Sequence, residues 1–185
     1  MKSYVVSIIV LFYLPIIAIC QSPAPLPAPL RVTVTKLFIV RHADRQMDQD
    51  LLSPAGVIGA AELSRILGKA GIDSIFSTNT VRTKNTAKPL AALRGLPTII
   101  YASDTAVITR ILTKSRGKRV LVIGHSNTVA TMIKKCGCTP AASIDPIPDT
   151  QFDNLFLVIV KRQSVNGVTT STCETIHMKY GAVTN

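Results

Sequence analysis

Runs of apolar residues alternate with amphipathic stretches along most of this 185-residue chain. The segment VTKLFIV is rich in β-branched residues and predicts a buried strand over 34–40. Ser53 and Pro54 then mark a helix start, because serine caps a helix N-terminus and proline fits its first turn. Apolar positions continue the helix to about residue 67.

The same alternation continues to the end of the chain. Further strands are predicted over 73–78, 97–103, 118–124 and 151–160, with an edge strand over 169–180. Further helices are predicted from 79 or 80 to about 93, over 104–116 and over 129–135, with a kink or early break at Pro89. Together they predict an α/β fold, a three-layer α/β/α sandwich around a mostly parallel sheet.

The first thirty residues follow a different pattern. Lys2 precedes an apolar stretch over 5–19, and a small residue at Ala18 suits cleavage before Gln21. We therefore expect a signal peptide over 1–20 and an exported protein, periplasmic or secreted. The alternative is a lipoprotein anchored through Cys20, and only in that case is a membrane expected as a partner.

Composition narrows the classes of partner. Residues 21–30, QSPAPLPAPL, predict an extended proline-rich linker, so the folded domain is expected over 31–185. The net charge of +11 attracts phosphate, nucleic acid or anionic membranes. The basic residues are scattered, however, and aromatic residues make up only 5% of the chain, so a base-stacking surface and a nucleic-acid partner are not expected.

The cysteines that remain after export would lie in an oxidising compartment, where disulfides form and persist. Cys136 and Cys138 are two positions apart, so each is expected to pair with Cys173 rather than with the other, leaving one free thiol. A zinc site built from these cysteines and His177 is an alternative, but the spacing matches no ordinary zinc-ligand pattern. His177 is otherwise interpreted as a structural residue.

Polar and charged residues follow the ends of four predicted strands. They are Arg41 and His42 after the first, Ser77 with Arg82 at the second, Asp104 after the third, and His125 after the fourth. In open α/β sheets the carboxyl ends of the strands form the ligand site. Arg82 opposes the helix dipole at an N-terminus, a cost that a bound anion would offset. Two arginines and two imidazoles at one edge predict a phosphate pocket.

Three segments carry a resemblance to a known family: IVRHADR, STNTVRTKNTA and VLVIGHSNTV. They resemble the motifs of the histidine phosphatase superfamily, which has the phosphoglycerate mutase-like fold. The order of the motifs and their places after strands agree over about residues 34–160. The chain is most similar to the small exported or phosphohistidine-phosphatase-like branch, because it lacks the large inserted helical domain of phytases and acid phosphatases.

The resemblance implies a histidine acid phosphatase-type hydrolase of phosphoric monoesters or phosphoramidates that needs no metal or cofactor. His42 would attack phosphorus and form a phosphohistidine, while Arg41, Arg82 and His125 hold the phosphate oxygens. Ser77, Asn127 and Asp44 would add contacts to a small phosphorylated substrate. The alternative is a phosphate-binding or regulatory module of the same fold with little or no turnover.

The proton donor for the leaving group has two candidates. Asp104 follows the third strand, where related mutases and phosphatases keep their acid, and Asp44 lies where many small members carry glutamate. The family's usual Arg-His-Gly is Arg-His-Ala here, which puts this part of the pattern in question. Asp48 and Asp50 are interpreted as solvated loop carboxylates.

Overall fold

The structure is a computed structural model that describes residues 30–141 and 144–181. The predicted signal peptide and nearly all of the linker lie outside the described residues. The elements, in chain order, are β1 (Arg31–Arg41), α1 (Pro54–Leu67), β2 (Ser74–Ser77), α2 (Val81–Arg94), β3 (Thr98–Ile100), α3 (Asp104–Lys114), β4 (Arg119–Gly124), α4 (Val129–Lys135), β5 (Asn154–Val165) and β6 (Val168–Lys179).

The strands form one sheet in the order β3-β2-β4-β1-β5-β6. The four strands from β3 to β1 are parallel, whereas β5 and β6 are antiparallel to their neighbours. One core cluster packs α3 and α4 against one face of the sheet, and a second packs α1 and α2 against the other. The predicted three-layer sandwich with a mostly parallel sheet and an edge strand at its end is confirmed.

Helix starts follow the sequence signals closely. Ser53 Oγ accepts a hydrogen bond from the Gly56 amide at 3.0 Å, and Thr80 caps α2 in the same way. The predicted early break at Pro89 does not occur, because α2 continues to Arg94 and buries Leu90 against the core. Packing of this face offsets the hydrogen bond that proline cannot make.

One end of the sheet extends beyond its neighbours. β4 pairs with β1 only from Lys36 onward, so the first residues of β1 are paired on one side alone, with β5. β5 and β6 continue together to a tight turn at residues 166–167. We call the three-stranded extension formed by residues 31–36, 159–165 and 168–174 the arm.

A disulfide joins Cys138, just after α4, to Cys173 in the arm. The prediction that Cys173 pairs with one of the two nearby cysteines is confirmed, and Cys136 is the remaining thiol. Burial raises the pKa of Cys136 to about 12, so this thiol stays protonated and unreactive at neutral pH. Over residues 30–141 and 144–181 no helix has the length and apolar character needed to cross a membrane.

Candidate active site

The two site histidines come together at the carboxyl end of the parallel strands. His42 directly follows β1, and its amide donates to the carbonyl of Gly124, the last residue of β4, at 3.0 Å. His125 is the next residue along. The two imidazole rings lie 5.6 Å apart between centroids and meet at 65°. Neighbouring strands therefore fix both rings relative to each other.

His42 is held in one tautomer. Its Nδ1 lies 2.8 Å from the carbonyl oxygen of Ala43, and because a carbonyl only accepts, Nδ1 carries the proton. Burial is the main cause that lowers the pKa of His42 to about 3; the hydrogen bond to Ala43 opposes this shift, and the positive charges of Arg41 and Arg82 add to it. His42 is thus a neutral imidazole with its lone pair on Nε2, the form that attacks an electrophile.

The orientation of His125 follows from its two neighbours. Arg82 Nη2 lies 3.5 Å from Nδ1, and a guanidinium only donates, so Nδ1 accepts. Nε2 then carries the proton and donates to Thr78 Oγ1 at 3.0 Å. Burial lowers the pKa of His125, with the charge of Arg82 adding to the effect, so the ring is neutral near pH 7.

Thr78, rather than Ser77, supplies the hydroxyl that contacts His125. Thr78 Oγ1 donates its own hydrogen bond to Thr83 Oγ1 at 3.0 Å, which leaves it to accept from the His125 ring. Ser77 is wholly buried, and its hydroxyl donates to the carbonyl of Thr78 at 2.9 Å. Thr78 is adjacent to Ser77 in the sequence, but only the local backbone shows which hydroxyl reaches the ring.

Arg82 has an internal carboxylate partner that the sequence did not indicate. Asp50 accepts from Arg82 Nη1 at 2.9 Å and from the amides of Val81 and Arg82 at 2.7 and 3.2 Å. Asp50 is thus an exposed loop carboxylate, as interpreted, and it also fixes Arg82, a role that the interpretation did not include. Partial burial acts to raise the pKa of Asp50, but these hydrogen bonds and the charge of Arg82 outweigh it, so the pKa is lowered. The anion at the N-terminus of α2 is this side chain.

Arg41 is equally fixed, by a loop distant in sequence. Its Nη1 donates to the carbonyls of Pro148, Asp149 and Gln151 at 2.9–3.1 Å, and Nη2 pairs with the Asp149 carboxylate at 3.2 Å. The guanidinium carbon lies 4.0 Å from the ring centroid of Phe152. The centroid of the Phe152 ring lies 5.9 Å from that of the His42 ring. Phe152, which contacts Arg41, therefore also lines one side of the imidazole.

Both arginines retain a donor without an acceptor. The Nε atoms of Arg41 and Arg82 are buried and have no hydrogen-bond partner within the part of the chain that the structure describes. Buried N–H groups are nearly always paired, so each of these donors is available to an acceptor on a bound molecule. An anionic oxygen would form a charge-assisted hydrogen bond with either guanidinium.

The two candidate acids differ in their surroundings. Asp104 is the first residue of α3. Burial raises the pKa of the Tyr101 hydroxyl, and the interaction with the Asp104 carboxylate raises it further. The charge of Asp104 also acts on His125. Asp44 instead accepts from Ser53 Oγ at 2.7 Å and anchors its loop on α1. Its carbonyl oxygen lies 1.9 Å from where a Cβ on Gly56 would stand, so only glycine fits there.

The remaining predicted residues lie at or beyond the margin of this cluster. Asn127 is exposed in the turn after His125, and its side chain forms no hydrogen bond with another of the described residues. His177 lies on β6, stacks on Phe156 with centroids 4.5 Å apart and contacts Asn154 Oδ1 at 2.7 Å. Among the described residues, no three His, Cys, Asp or Glu side chains come together as they would around a metal ion.

Comparison of whole structures identifies the fold. A mycobacterial glucosyl-3-phosphoglycerate phosphatase matches with a TM-score of 0.56 and 15% identity over 74% of this chain and 98% of that one. The fold is that of the histidine phosphatase superfamily. No protein-family model and no curated protein sequence matches the chain, so the likeness lies in the structure rather than in overall sequence.

Two further solved structures have the same fold. A structure described as mycobacterial hydrolase 2 gives a TM-score of 0.58 at 12% identity, covering 82% of this chain and 94% of that one. The phosphoserine phosphatase of Entamoeba histolytica, in complex with 3-phosphoglyceric acid, gives 0.51 at 13% identity, covering 75% of this chain and 98% of that one. The histidine phosphatase fold thus accounts for most of the described residues.

Proposed function

We propose that the protein hydrolyses phosphoric monoesters through a phosphohistidine on His42. The observation that carries the proposal is the pair of buried, unpartnered Nε–H donors of Arg41 and Arg82 beside a neutral His42. Structural neighbours support it, since the mycobacterial phosphatase is also known in complex with inorganic phosphate. The acid-phosphatase type of monoester chemistry, with no metal, is the specific form that we propose.

In the first step, the His42 Nε2 lone pair attacks phosphorus. The N–P bond forms as the P–O bond to the leaving group breaks, and the alcohol oxygen takes a proton from a general acid. Arg41 and Arg82 stabilise the charge on the non-bridging oxygens, from positions that their internal partners already fix. The Nδ1–H bond to Ala43 stabilises the positive charge that develops on the ring.

In the second step, water attacks the phosphohistidine from the side that the alcohol has left. The carboxylate formed in the first step takes a proton from this water, the P–N bond breaks, and its electron pair returns to Nε2. Phosphate dissociates and His42 is again neutral. A phosphate dianion next to His125 favours the protonated form of that ring, so that Nδ1 can then donate to phosphate.

We propose Asp104 as the general acid, because its charge acts on His125 whereas Asp44 is held by Ser53. An alkyl phosphate needs this proton more than an aryl phosphate, whose leaving group departs as a stable anion. Asp104→Asn should therefore lower kcat/KM on an alkyl phosphate more than on an aryl phosphate. Equal losses on the two substrates would count against Asp104, and Asp44→Asn provides the matched control.

A second candidate is a phosphate-binding module with little turnover. It is favoured by the commitment of Arg41 Nη1 and Nη2 to the loop over 148–151, which leaves few donors for a transition state. Such a module would bind phosphate at the same donors without forming a covalent bond to His42.

Covalent trapping separates the two candidates. The protein is mixed with a phosphate ester labelled on phosphorus and quenched in alkali, in which phosphohistidine survives. Hydrolysis predicts label on the wild type and none on His42→Ala, together with release of phosphate. Phosphate binding without label or phosphate release would establish the module instead. The variant His177→Ala, altered at a histidine outside the cluster, should label like the wild type.

We also propose that the protein is exported, with residues 1–20 removed. The apolar stretch after Lys2 and the disulfide between Cys138 and Cys173 support this, since disulfides persist in oxidising compartments. Mass spectrometry of the protein from its own cells is the test. A chain that begins at Gln21 is expected, and a lipid-modified Cys20 would establish the anchored form.

A further inference from the structure

The arm, at the end of the sheet opposite the active site, has exposed aliphatic residues on one face. Strand register places Val32, Val34, Val165 and Val168 on the side of α1 and α2, but those helices end short of it. These four side chains are exposed by between 37% and 68%, and Val168 at the hairpin turn is the most exposed. Val165 and Val168 pair at the turn, and Val32 and Val34 pair on the same face with Gln163 and Lys161, so the apolar surface is concentrated at the tip and bordered by polar side chains.

The opposite face of the arm is a basic groove. Arg31 and Arg162 lie on this face, and Arg116 borders it from the loop after α3, with threonine and serine hydroxyls between them. The groove has a volume of about 700 Å³. None of the three arginines forms an ion pair with a carboxylate anywhere in residues 30–141 and 144–181. Arg116 and Arg162 instead converge on the carbonyl of Leu112.

We propose that the arm docks on the surface of an anionic phospholipid membrane. The valines at its tip would enter the interface between headgroups and acyl chains, and the arginines would bind the lipid phosphates. Guanidinium groups without a carboxylate partner on one face of the arm, and exposed aliphatic side chains on the other, would both reach this boundary if the arm enters it tip first. The proposal is independent of the proposed catalytic function.

The position of the arm in the chain favours this partner. Arg31, the first residue of β1, follows the ten-residue segment QSPAPLPAPL, which in turn follows the apolar stretch over 5–19. A proline-rich segment of that length reaches about 31 Å when extended. A chain that keeps residues 1–20, or carries a lipid on Cys20, would hold the start of the arm within about that distance of the membrane, and a chain cleaved before Gln21 would dock through its valines and arginines alone.

Two other partners fit the arm less well. A second copy of the chain would bring its own arginines against Arg31, Arg116 and Arg162, and like charges repel. A single-stranded nucleic acid would need aromatic side chains for its bases, and residues 30–36 and 159–174 contain none. An anionic lipid surface satisfies both the charge and the apolar tip.

The absence of tryptophan from the chain allows a site-specific test. Val168→Trp puts the only indole of the protein at the tip of the arm. Ile58→Trp puts it on an exposed position of α1, near the carboxyl end of the parallel strands, which we call the catalytic edge because the proposed active site lies there. Each variant is mixed with vesicles of phosphatidylcholine alone, or of phosphatidylcholine with phosphatidylglycerol. Melting curves followed by circular dichroism verify that both variants fold.

We expect the emission of Val168→Trp to shift to shorter wavelength, and to be quenched by brominated acyl chains, only on the anionic vesicles. High salt should reverse the shift, and Ile58→Trp should show none. In the Val168→Trp background, Arg31→Gln should weaken vesicle binding about fivefold, and replacing all three arginines with glutamine about a hundredfold. The side chain of Arg31 is exposed and forms no hydrogen bond with any described residue, so its replacement should not disturb folding.

Four results with vesicles would overturn the proposal. They are the absence of any shift, an equal shift on neutral vesicles, the same shift at both tryptophan positions, or binding that is unchanged by Arg31→Gln. A shift of Val168→Trp that needs no vesicles and grows with protein concentration would also overturn it, because it would identify a second copy of the chain as the partner.

Discussion

The two ends of the central sheet use arginine in opposite ways. At the catalytic edge, Arg41 and Arg82 are fixed by internal acceptors, a loop of carbonyls for one and the Asp50 carboxylate for the other. Arg31 in the arm and Arg116 beside it lie exposed and have no carboxylate partner in the described part of the chain, although Arg116 Nε donates to the carbonyl of Leu112. A cation held in place can stabilise a specific charge in a transition state, whereas a free one attracts any anionic surface.

The largest difference is expected between two arginine-to-lysine variants, one at each end of the sheet. Arg82→Lys should lower kcat/KM by roughly two to three orders of magnitude, because an ammonium cannot contact Asp50 and present a fork to phosphate together. Arg116→Lys should leave kcat/KM unchanged. Steady-state assays with an aryl phosphate measure both. Similar losses in the two variants would remove the distinction between the two ends.

The disulfide ties the arm to the layer of α3 and α4, and its loss should affect stability rather than catalysis. Replacing Cys138 and Cys173 with alanine opens a link across 35 positions, and should lower the free energy of unfolding by about 3 kcal/mol. Urea denaturation measures this, and reduced wild type should match the variant. Activity per folded molecule should not change, and a parallel loss of kcat would show that the two ends are coupled.

The buried imidazole of the catalytic edge should make stability depend on pH. Folded His42 has a pKa of about 3 and the unfolded residue titrates near 6.5, so between these values the unfolded chain binds more protons. Stability should therefore fall as the pH drops through this window. At about pH 4.5 the loss attributable to His42 is about 3 kcal/mol. The difference in unfolding free energy between wild type and His42→Gln, measured at both ends of the window, should change accordingly.

The smallest effect is expected at Asp50. Asp50→Asn removes the charge that fixes Arg82 Nη1, and should lower kcat/KM about tenfold, equivalent to ~1.4 kcal/mol of a charge-assisted hydrogen bond. Asp48→Asn, a substitution on the same loop at an exposed residue, should have no effect. An increase in activity on Asp50→Asn would instead mean that Asp50 competes with phosphate for Arg82.

Much of the fold could be predicted because buried strands and helix caps have local signals. Leu37 and Ile39 belong to a continuous apolar run, and Ser53 is followed by Pro54. The third strand is shorter than predicted, 98–100 rather than 97–103, because α3 already begins at Asp104 with Ser103 as its cap. A run of β-branched residues does not by itself show where hydrogen bonding to a neighbour stops.

The site could be predicted in part, for a different reason. Arg41, His42 and His125 lie directly at strand ends, so the sheet alone brings them together. Asp50 reaches Arg82 across 32 positions and Arg41 reaches Gln151 across 110, and both contacts depend on loop conformation. Backbone carbonyls that bind a guanidinium have no sequence signal at all, because every residue has one.

β1 also sets a distance. It runs without interruption from Arg31 in the arm to Arg41 beside His42, which at the usual rise per residue is about 33 Å. The Debye length in physiological salt is about 8 Å, so charges at one end do not act on ions at the other. A molecule docked by its arm would hold its imidazole some three nanometres above the lipid phosphates, out of their reach, and would draw its substrate from the surrounding solution.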